Sequence, residues 1–375
     1  MSLSSNSTIR NQTALGHLKS TCISVDSTAE RISKLCAYCV ILLGSLFGNM
    51  FIIIIVYKNR DLRKTMNYFI VNMAVSDLLF SLIVIPRQIT QLVTESLHWH
   101  VAGMLGSIFC KFSYFAKSVS PFVSVQSLVW IAIDRFFAVV FPMKLGLISG
   151  KTRTKAIVST WILAGVFYFP LLITSGLFEH GNDTFCSYLS KQSIFPNKET
   201  LDGYYWLHLT IRFFAPLTLI TVLYSAIAII LEGRRNALAY TSPNVLGRRC
   251  LKKRRQATQM AVVILVMFYI CVIPFTVLHF LSSGRLSCAS WRLFQYLANL
   301  MFSSSSIVNP VICLSFVETY RRGLKNILCP CGRLQNNKLV ARREQVTLKR
   351  VKSVREEFQQ RASKDSNIFP QYTGY

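Results

Sequence analysis

The chain has 375 residues, 52% of them hydrophobic and only 15% charged, with a mean hydropathy of +0.39. A soluble protein of this length would carry about a quarter charged residues, so an ordinary water-soluble domain is excluded. The net charge of +26 would fit a nucleic-acid binder, but the cations sit beside apolar stretches, which reads as membrane topology and lipid attraction without a nucleic-acid partner.

Residues 1–33 are polar and lack the short apolar core and small-residue cleavage site of a signal peptide. They are expected to form an extracellular N-terminus carrying two glycosylation sequons, Asn6-Ser7-Thr8 and Asn11-Gln12-Thr13. Seven apolar stretches follow, at 34–57, 67–92, 107–140, 153–176, 203–232, 257–281 and 291–315. Each can cross a hydrocarbon layer, and only a helix satisfies its own backbone hydrogen bonds there. The predicted fold is an all-α membrane protein, a seven-transmembrane helix bundle over 34–315.

Basic clusters follow span one (Lys58, Arg60, Arg63, Lys64), span five (eight Lys/Arg and no acid between Gly233 and Gln256) and span seven (Arg321 through Lys364). These fall on one side only if the N-terminus is extracellular and the C-terminus cytoplasmic, as in a multi-pass plasma-membrane protein. The sequon Asn182-Asp183-Thr184, between spans four and five, then lies outside with the other two.

Every span carries a polar or proline residue that a plain anchor does not need: Gly48-Asn49, Asn72 through Asp77, Ser124 and Arg135, Trp161 and Pro170, Pro216 and Tyr224, Pro274, and Ser305, Ser306 and Asn309-Pro310. Prolines bend helices and free carbonyls. Asp134-Arg135, an ion pair at the inner margin of span three, is costly there and points to function. Cys110, opening span three, and Cys186, between spans four and five, are placed to bridge in the oxidising exterior; Cys22 and Cys288 form a second outer pair whose approach the sequence leaves open.

After span seven, residues 316–331 read as a short amphipathic interfacial helix. Arg321, Arg322 and Lys325 oppose Leu324 and Leu328, and Cys329 and Cys331 are candidates for palmitoylation. Residues 332–375 read as a disordered cytoplasmic tail, in which phosphorylation of Thr347, Ser353, Ser363 or Ser366 would reverse local charge and could recruit arrestin.

The set Gly48-Asn49, Asn72-Met73-Ala74-Val75-Ser76-Asp77, Trp99, Cys110, Asp134-Arg135-Phe136, Trp161, Cys186, Pro216, Tyr224, Phe268, Pro274 and Asn309-Pro310 resembles the rhodopsin-like (class A) G-protein-coupled receptors, over roughly residues 34–331. The resemblance implies an outer ligand cavity and an inner surface that opens as helix six swings outward. Coupling to a heterotrimeric G protein would then involve Asp134, Arg135, Tyr224, Phe268, Pro274, Asn309 and Pro310. It further implies that Asp77, Ser124, Ser305, Ser306 and Asn309 match positions that hold an allosteric sodium ion, the only cofactor expected. A lone carboxylate in hydrocarbon is costly to charge, and a hard cation with oxygen ligands offsets that cost.

Three departures stand out. Val272 replaces the family's tryptophan before the span-six proline, Cys313 replaces the tyrosine of Asn-Pro-x-x-Tyr, and Phe136 ends the Asp-Arg-Tyr triplet. The acid often found at the inner end of helix six is also missing, since Lys252 to Arg255 are all basic. These changes would either raise basal activity or weaken coupling.

Lys117 and Arg135 are 18 residues apart, five helical turns or roughly 27 Å, and so share a face of helix three. By resemblance, Arg87, Arg212, His279 and Gln295 line the same outer cavity as Lys117. Lys117 stands where amine receptors carry an aspartate, and the retinal-bearing lysine position reads Ser303, which argues against amine and retinal ligands. Lys117, Arg87 and Arg212 favour an anionic partner: a peptide with an acidic residue or free C-terminus, a carboxylate lipid, or a nucleotide. A peptide is favoured. The opposing expectation is that these cations snorkel outward or pair with Glu95, Glu179 or Asp202.

A transporter would show internal repeats with matching interrupted helices, and none is visible. The six His are scattered without metal-ligand spacing, so an enzyme is not expected. The remaining alternative is a receptor-shaped protein that binds or scavenges ligand without activating G proteins.

Overall fold

The computed structural model describes residues 26–141, 149–181, 183–188, 197–241, 245–278 and 287–328. Ser27 opens α1 (Thr28–Lys58) with a capping box, its hydroxyl accepting from the Glu30 N–H while the Glu30 carboxylate accepts from the Ser27 N–H. That box starts the helix six residues before the apolar run. A short 3₁₀ turn (Arg60–Leu62) leads to α2 (Thr65–Thr94), followed by α3 (Gly103–Val140) and α4 (Gly150–Thr174).

The fourth span was expected to reach residue 176, but α4 stops at Thr174. From Ser175 the backbone is extended and enters a hairpin absent from the all-helical expectation: β1 (Ser175–His180) pairs antiparallel with β2 (Asp183–Tyr188), Leu177 opposite Cys186. Gly181, at φ +63°, takes the turn conformation that costs glycine least.

Span five, expected to be one regular helix, is α5 in three segments: Lys198–Leu209, a π-helical turn Thr210–Phe214, and Ala215–Thr241. The wide turn ends just before Pro216, which has no N–H to give. α6 (Val245–Leu278) begins well before its apolar part, because a basic helix continues into water without penalty. α7 (Cys288–Phe316) is capped by Ser287, and α8 (Glu318–Leu328) follows with Arg321, Arg322 and Lys325 exposed. The chain divides into two units after Tyr320, the seven long helices and the hairpin belonging to the first.

The seven long helices are each long and apolar enough to cross a membrane. α3 packs against α2, α4, α5 and α6, while α7 packs against α1, α2 and α6. Gly48 lets α1 approach α7 closely; a Cβ there would stand 2.8 Å from Pro310. The polarity of the bundle is inverted relative to a water-soluble protein. Val40, Phe47, Val166 and Ile229 face outward, whereas Ser45, Asn49, Asn72, Asp77, Ser124 and Asn309 are buried. That inversion is the arrangement hydrocarbon demands.

Candidate functional site

The hairpin packs against α3 at one end of the bundle. Cys186 of β2 is disulfide-bonded to Cys110 of α3, with Cα atoms 5.6 Å apart. Trp99, in the α2–α3 connection, donates its N–H to the Thr184 carbonyl at 2.7 Å, and His98 bridges Phe185, so that connection docks on β2. Cys288 is also in a disulfide; Cys22, the partner considered for it, lies outside the described residues.

The three expected pocket cations have different fates. Arg87 donates to Ser113 Oγ at 2.8 Å and to both the Tyr114 hydroxyl and the Cys186 carbonyl at 3.2 Å. Its guanidinium also lies 4.6 Å from the Tyr114 ring centroid and 5.3 Å from that of Trp99. Arg87 therefore ties α2 and α3 to the hairpin and leaves only Nε without a partner. Glu95, one acid proposed to neutralise the pocket, is paired with Arg31 instead.

Lys117 is held by neutral groups: Asn299 Oδ1 accepts from Nζ at 3.3 Å, and the Phe275 and Phe302 ring centroids lie 4.6 and 5.9 Å away. Among the described residues it has no carboxylate partner. Arg212 sits half-buried in the π-helical turn, with no hydrogen bond or ion pair among the described residues. A charge withdrawn from water without an opposite charge is costly, so Lys117 is poised to receive an anion. Gln295 is half-buried on α7, and His279 and the Asp202 side chain lie outside the description.

The sequence missed Asn299, Gln88 and Ser303. Ser303 Oγ donates to the Asn299 carbonyl at 2.8 Å and lies 3.0 Å from Gln88 Oε1, linking α7 to α2. Asn299 lies four residues after Gln295, on the same helix face, and that spacing was the available signal.

Deeper in the bundle, Asn309 donates to Asp77 Oδ2 at 2.8 Å and Ser124 shares a 3.0 Å bond with Ser76. Ser305 and Ser306 donate to carbonyls of their own helix, leaving their oxygen lone pairs available. Asn309 Oδ1 is buried without a partner. A carboxylate, hydroxyls and an amide oxygen are the donor types that a hard cation takes. Beside them Asn49 donates to the Ser306 carbonyl at 2.9 Å, and Ser45 and Ser81 hydroxyls meet at 2.6 Å. Asn72 joins three helices, donating to Ser127 and Thr160 and accepting from the Trp161 indole at 2.8 Å.

Near the C-terminal end of α3 Arg135 is ion-paired with Asp134, its Nε also donating to that carboxylate at 3.2 Å. Tyr224 lines an apolar groove of about 530 Å³ between α5 and α6. Phe268 and Val272 are buried in α6, and Pro274 lies inside the same helix. Where the family's tryptophan is missing, an aromatic link between α6 and α7 comes from Phe275 stacked on Phe302, centroids 4.3 Å apart. Pro310 and Cys313 are buried in α7. The glycosylation positions Asn6, Asn11 and Asn182 and the cysteines Cys329 and Cys331 lie outside the described residues.

Comparison with known proteins gives a match over residues 48–312 to the family described as 7 transmembrane receptor (rhodopsin family). Among curated relatives, the QRFP-like peptide receptor of Branchiostoma floridae is 28% identical over 312 residues, covering 80% of this chain and 79% of that one. The neuromedin-K receptor of Rattus norvegicus is 27% identical over 309 residues, covering 80% of this chain but 64% of its own, so the chain spans under two thirds of that relative. The neuromedin-U receptor 2 of Rattus norvegicus is 27% identical over 342 residues, covering 82% and 81%.

Proposed function

The chain belongs to the rhodopsin family of seven-transmembrane receptors, and from that premise we propose that it is activated by an extracellular peptide and signals through a heterotrimeric G protein. It is a multi-pass plasma-membrane receptor and not an enzyme. The peptide class rests on relatives named for peptides, and the chemistry of the peptide on Lys117, a half-buried cation whose described hydrogen-bond and ring partners are all neutral or aromatic. An acidic side chain or free C-terminal carboxylate inserted beside Lys117 and Arg212 would replace the solvation those cations lose on burial. The N-terminus is outside in this reading, and the basic inner ends face the cytoplasm.

The deciding experiment is peptide-dependent nucleotide exchange in cells, with Arg135→Ala as control. Arg135 is engaged only with its neighbour Asp134 in hydrogen bonds and ion pairs among the described residues, so it is free to change partner when the inner face opens. Exchange lost in Arg135→Ala, with surface expression and peptide binding retained, supports the proposal. Peptide binding to the unaltered receptor without exchange on any G-protein family would instead establish a scavenging receptor.

Asp77, Ser124, Ser305, Ser306 and Asn309 would hold a sodium ion, supported by the orphaned Asn309 oxygen beside the Asp77 carboxylate. Sodium is expected to raise the Tm of the purified receptor relative to an equal concentration of a bulky organic cation. Asp77→Asn should abolish that difference. A sodium effect of the same size in Asp77→Asn would place the ion elsewhere.

A further inference from the structure

Lys117 contacts two helices besides its own. Its ammonium lies 4.6 Å from the centroid of the Phe275 ring in α6 and 5.9 Å from that of Phe302 in α7. The two rings are stacked on each other, centroids 4.3 Å apart and planes inclined by 28°. A cation over the face of an aromatic ring is attracted by the ring quadrupole, the more strongly where water is excluded. One charge on α3 therefore holds a ring of α6 and, through it, the contact of that ring with α7.

The two rings are not equally free to move. Phe302 is 1% exposed and meets Phe80 of α2 edge-on, centroids 5.6 Å apart. Its neighbour Ser303 donates to the Asn299 carbonyl at 2.8 Å, and farther along α7 Asn309 donates to Asp77 of α2 at 2.8 Å. Phe275 is half-buried and follows Pro274, which gives the Ile270 carbonyl no N–H, so the α6 backbone is weakest in the turn beside the ring. Val272, one turn earlier, offers no ring for a cation to hold. Lys117 itself is loosely tethered, its hydrogen bond to Asn299 being a long 3.3 Å. A carboxylate at Nζ would form a stronger, charge-assisted bond, and an ammonium neutralised in that way no longer attracts the ring as a free cation does.

We propose that Phe275 is a positioning residue for activation. The Lys117 cation on its face holds α6 against α7 in the ligand-free receptor, and an anion that neutralises Lys117 frees the ring and the proline-weakened turn beside it. The inference rests on the anionic-ligand reading of Lys117 for what releases the contact, though not for the contact itself.

The test needs no peptide. The full-length receptor is reconstituted with G protein, and basal nucleotide exchange is measured with Phe275 replaced by mono-, di- and trifluorophenylalanine. These keep the ring nearly the same size while progressively withdrawing electron density from its face. Basal exchange should rise along the series, by about tenfold at the trifluoro ring. The same series at Phe302, which lies farther from Nζ, should raise it less. In Lys117→Met the Phe275 series should no longer raise it. The sign separates cation from stack: fluorinating one ring strengthens its stacking on an unfluorinated one, so a fall along the Phe275 series would show the stack acting alone and overturn the proposal. A rise that persists in Lys117→Met overturns it as well, and so does a series that stays flat or silent. Fluorine NMR of the monofluoro receptor reads the contact directly: the resonance should move in Lys117→Met, and an identical spectrum overturns the contact. Failure of the anionic pocket is read separately. Unaltered peptide potency in Lys117→Glu beside a rising Phe275 series would overturn release by an anion while upholding the contact.

Discussion

Reversing the charge at Lys117 is expected to lower the potency of an acidic peptide agonist by at least about 100-fold, the scale of removing one partner from a desolvated charge pair. Among the described residues Lys117 makes its one hydrogen bond with Asn299 and its ring contacts with Phe275 and Phe302, so a carboxylate arriving there gains an interaction that none of the described residues supplies. Lys117→Glu places a second negative charge against that group, and replacing the acidic residue of the peptide by Lys should restore part of the potency. Lys117→Met offers a readout that needs no ligand: deleting an uncompensated, half-buried charge should raise the Tm of the ligand-free receptor while abolishing the response. Unaltered potency in Lys117→Glu would remove the anionic pocket from consideration. Arg87→Ala should behave differently, lowering the yield of folded receptor, because Arg87 is already committed to Ser113, Tyr114 and Cys186.

Removing the Cys110–Cys186 bridge is the second large effect. The cross-link spans a sequence separation of 76, and closing a loop of that size restricts the unfolded chain by about 4 kcal/mol in the chain-entropy account. The folded state loses order as well. The Cys186 carbonyl accepts from both Arg87 and the Tyr114 hydroxyl, and β2 carries the 2.7 Å bond from Trp99. Without the cross-link the hairpin is held to α3 by these polar contacts and packing alone. Cys110→Ala and Cys186→Ala should each cut surface-expressed, peptide-binding receptor severely. The double variant should be no worse than either single one, since both remove the same bond. Additive losses would show that the two cysteines act independently.

Much of this molecule is legible without coordinates. Seven spans, their order and the inward-facing polar residues follow from hydropathy and from the cost of an unsatisfied backbone in hydrocarbon, and the Cys110–Cys186 bridge from placing both on the oxidising side. Local chemistry displaced the helix ends: a capping box at Ser27 lengthened α1 at its N-terminal end, and a basic helix that water tolerates lengthened α6 at its own. The hairpin at 175–188 was not legible, because its two short strands are stabilised by pairing with each other and by the bridge to α3 rather than by periodicity.

The sharpest divide runs through the three pocket cations. Helix spacing places Lys117, and the family resemblance Arg87, at the same end of the bundle, and to the sequence they are equivalent. Only packing separates them. Helix rotation turns Arg87 onto Tyr114 and the Cys186 carbonyl, 99 positions away in sequence, and sets Lys117 against Asn299, 182 positions away. The sequence by itself determined that this chain crosses a membrane seven times and carries charge inside it, since the bilayer imposes that on any apolar run of sufficient length. Which of those charges is already spoken for was decided by tertiary structure alone, because a partner is a matter of distance across the bundle, and sequence order does not record distance.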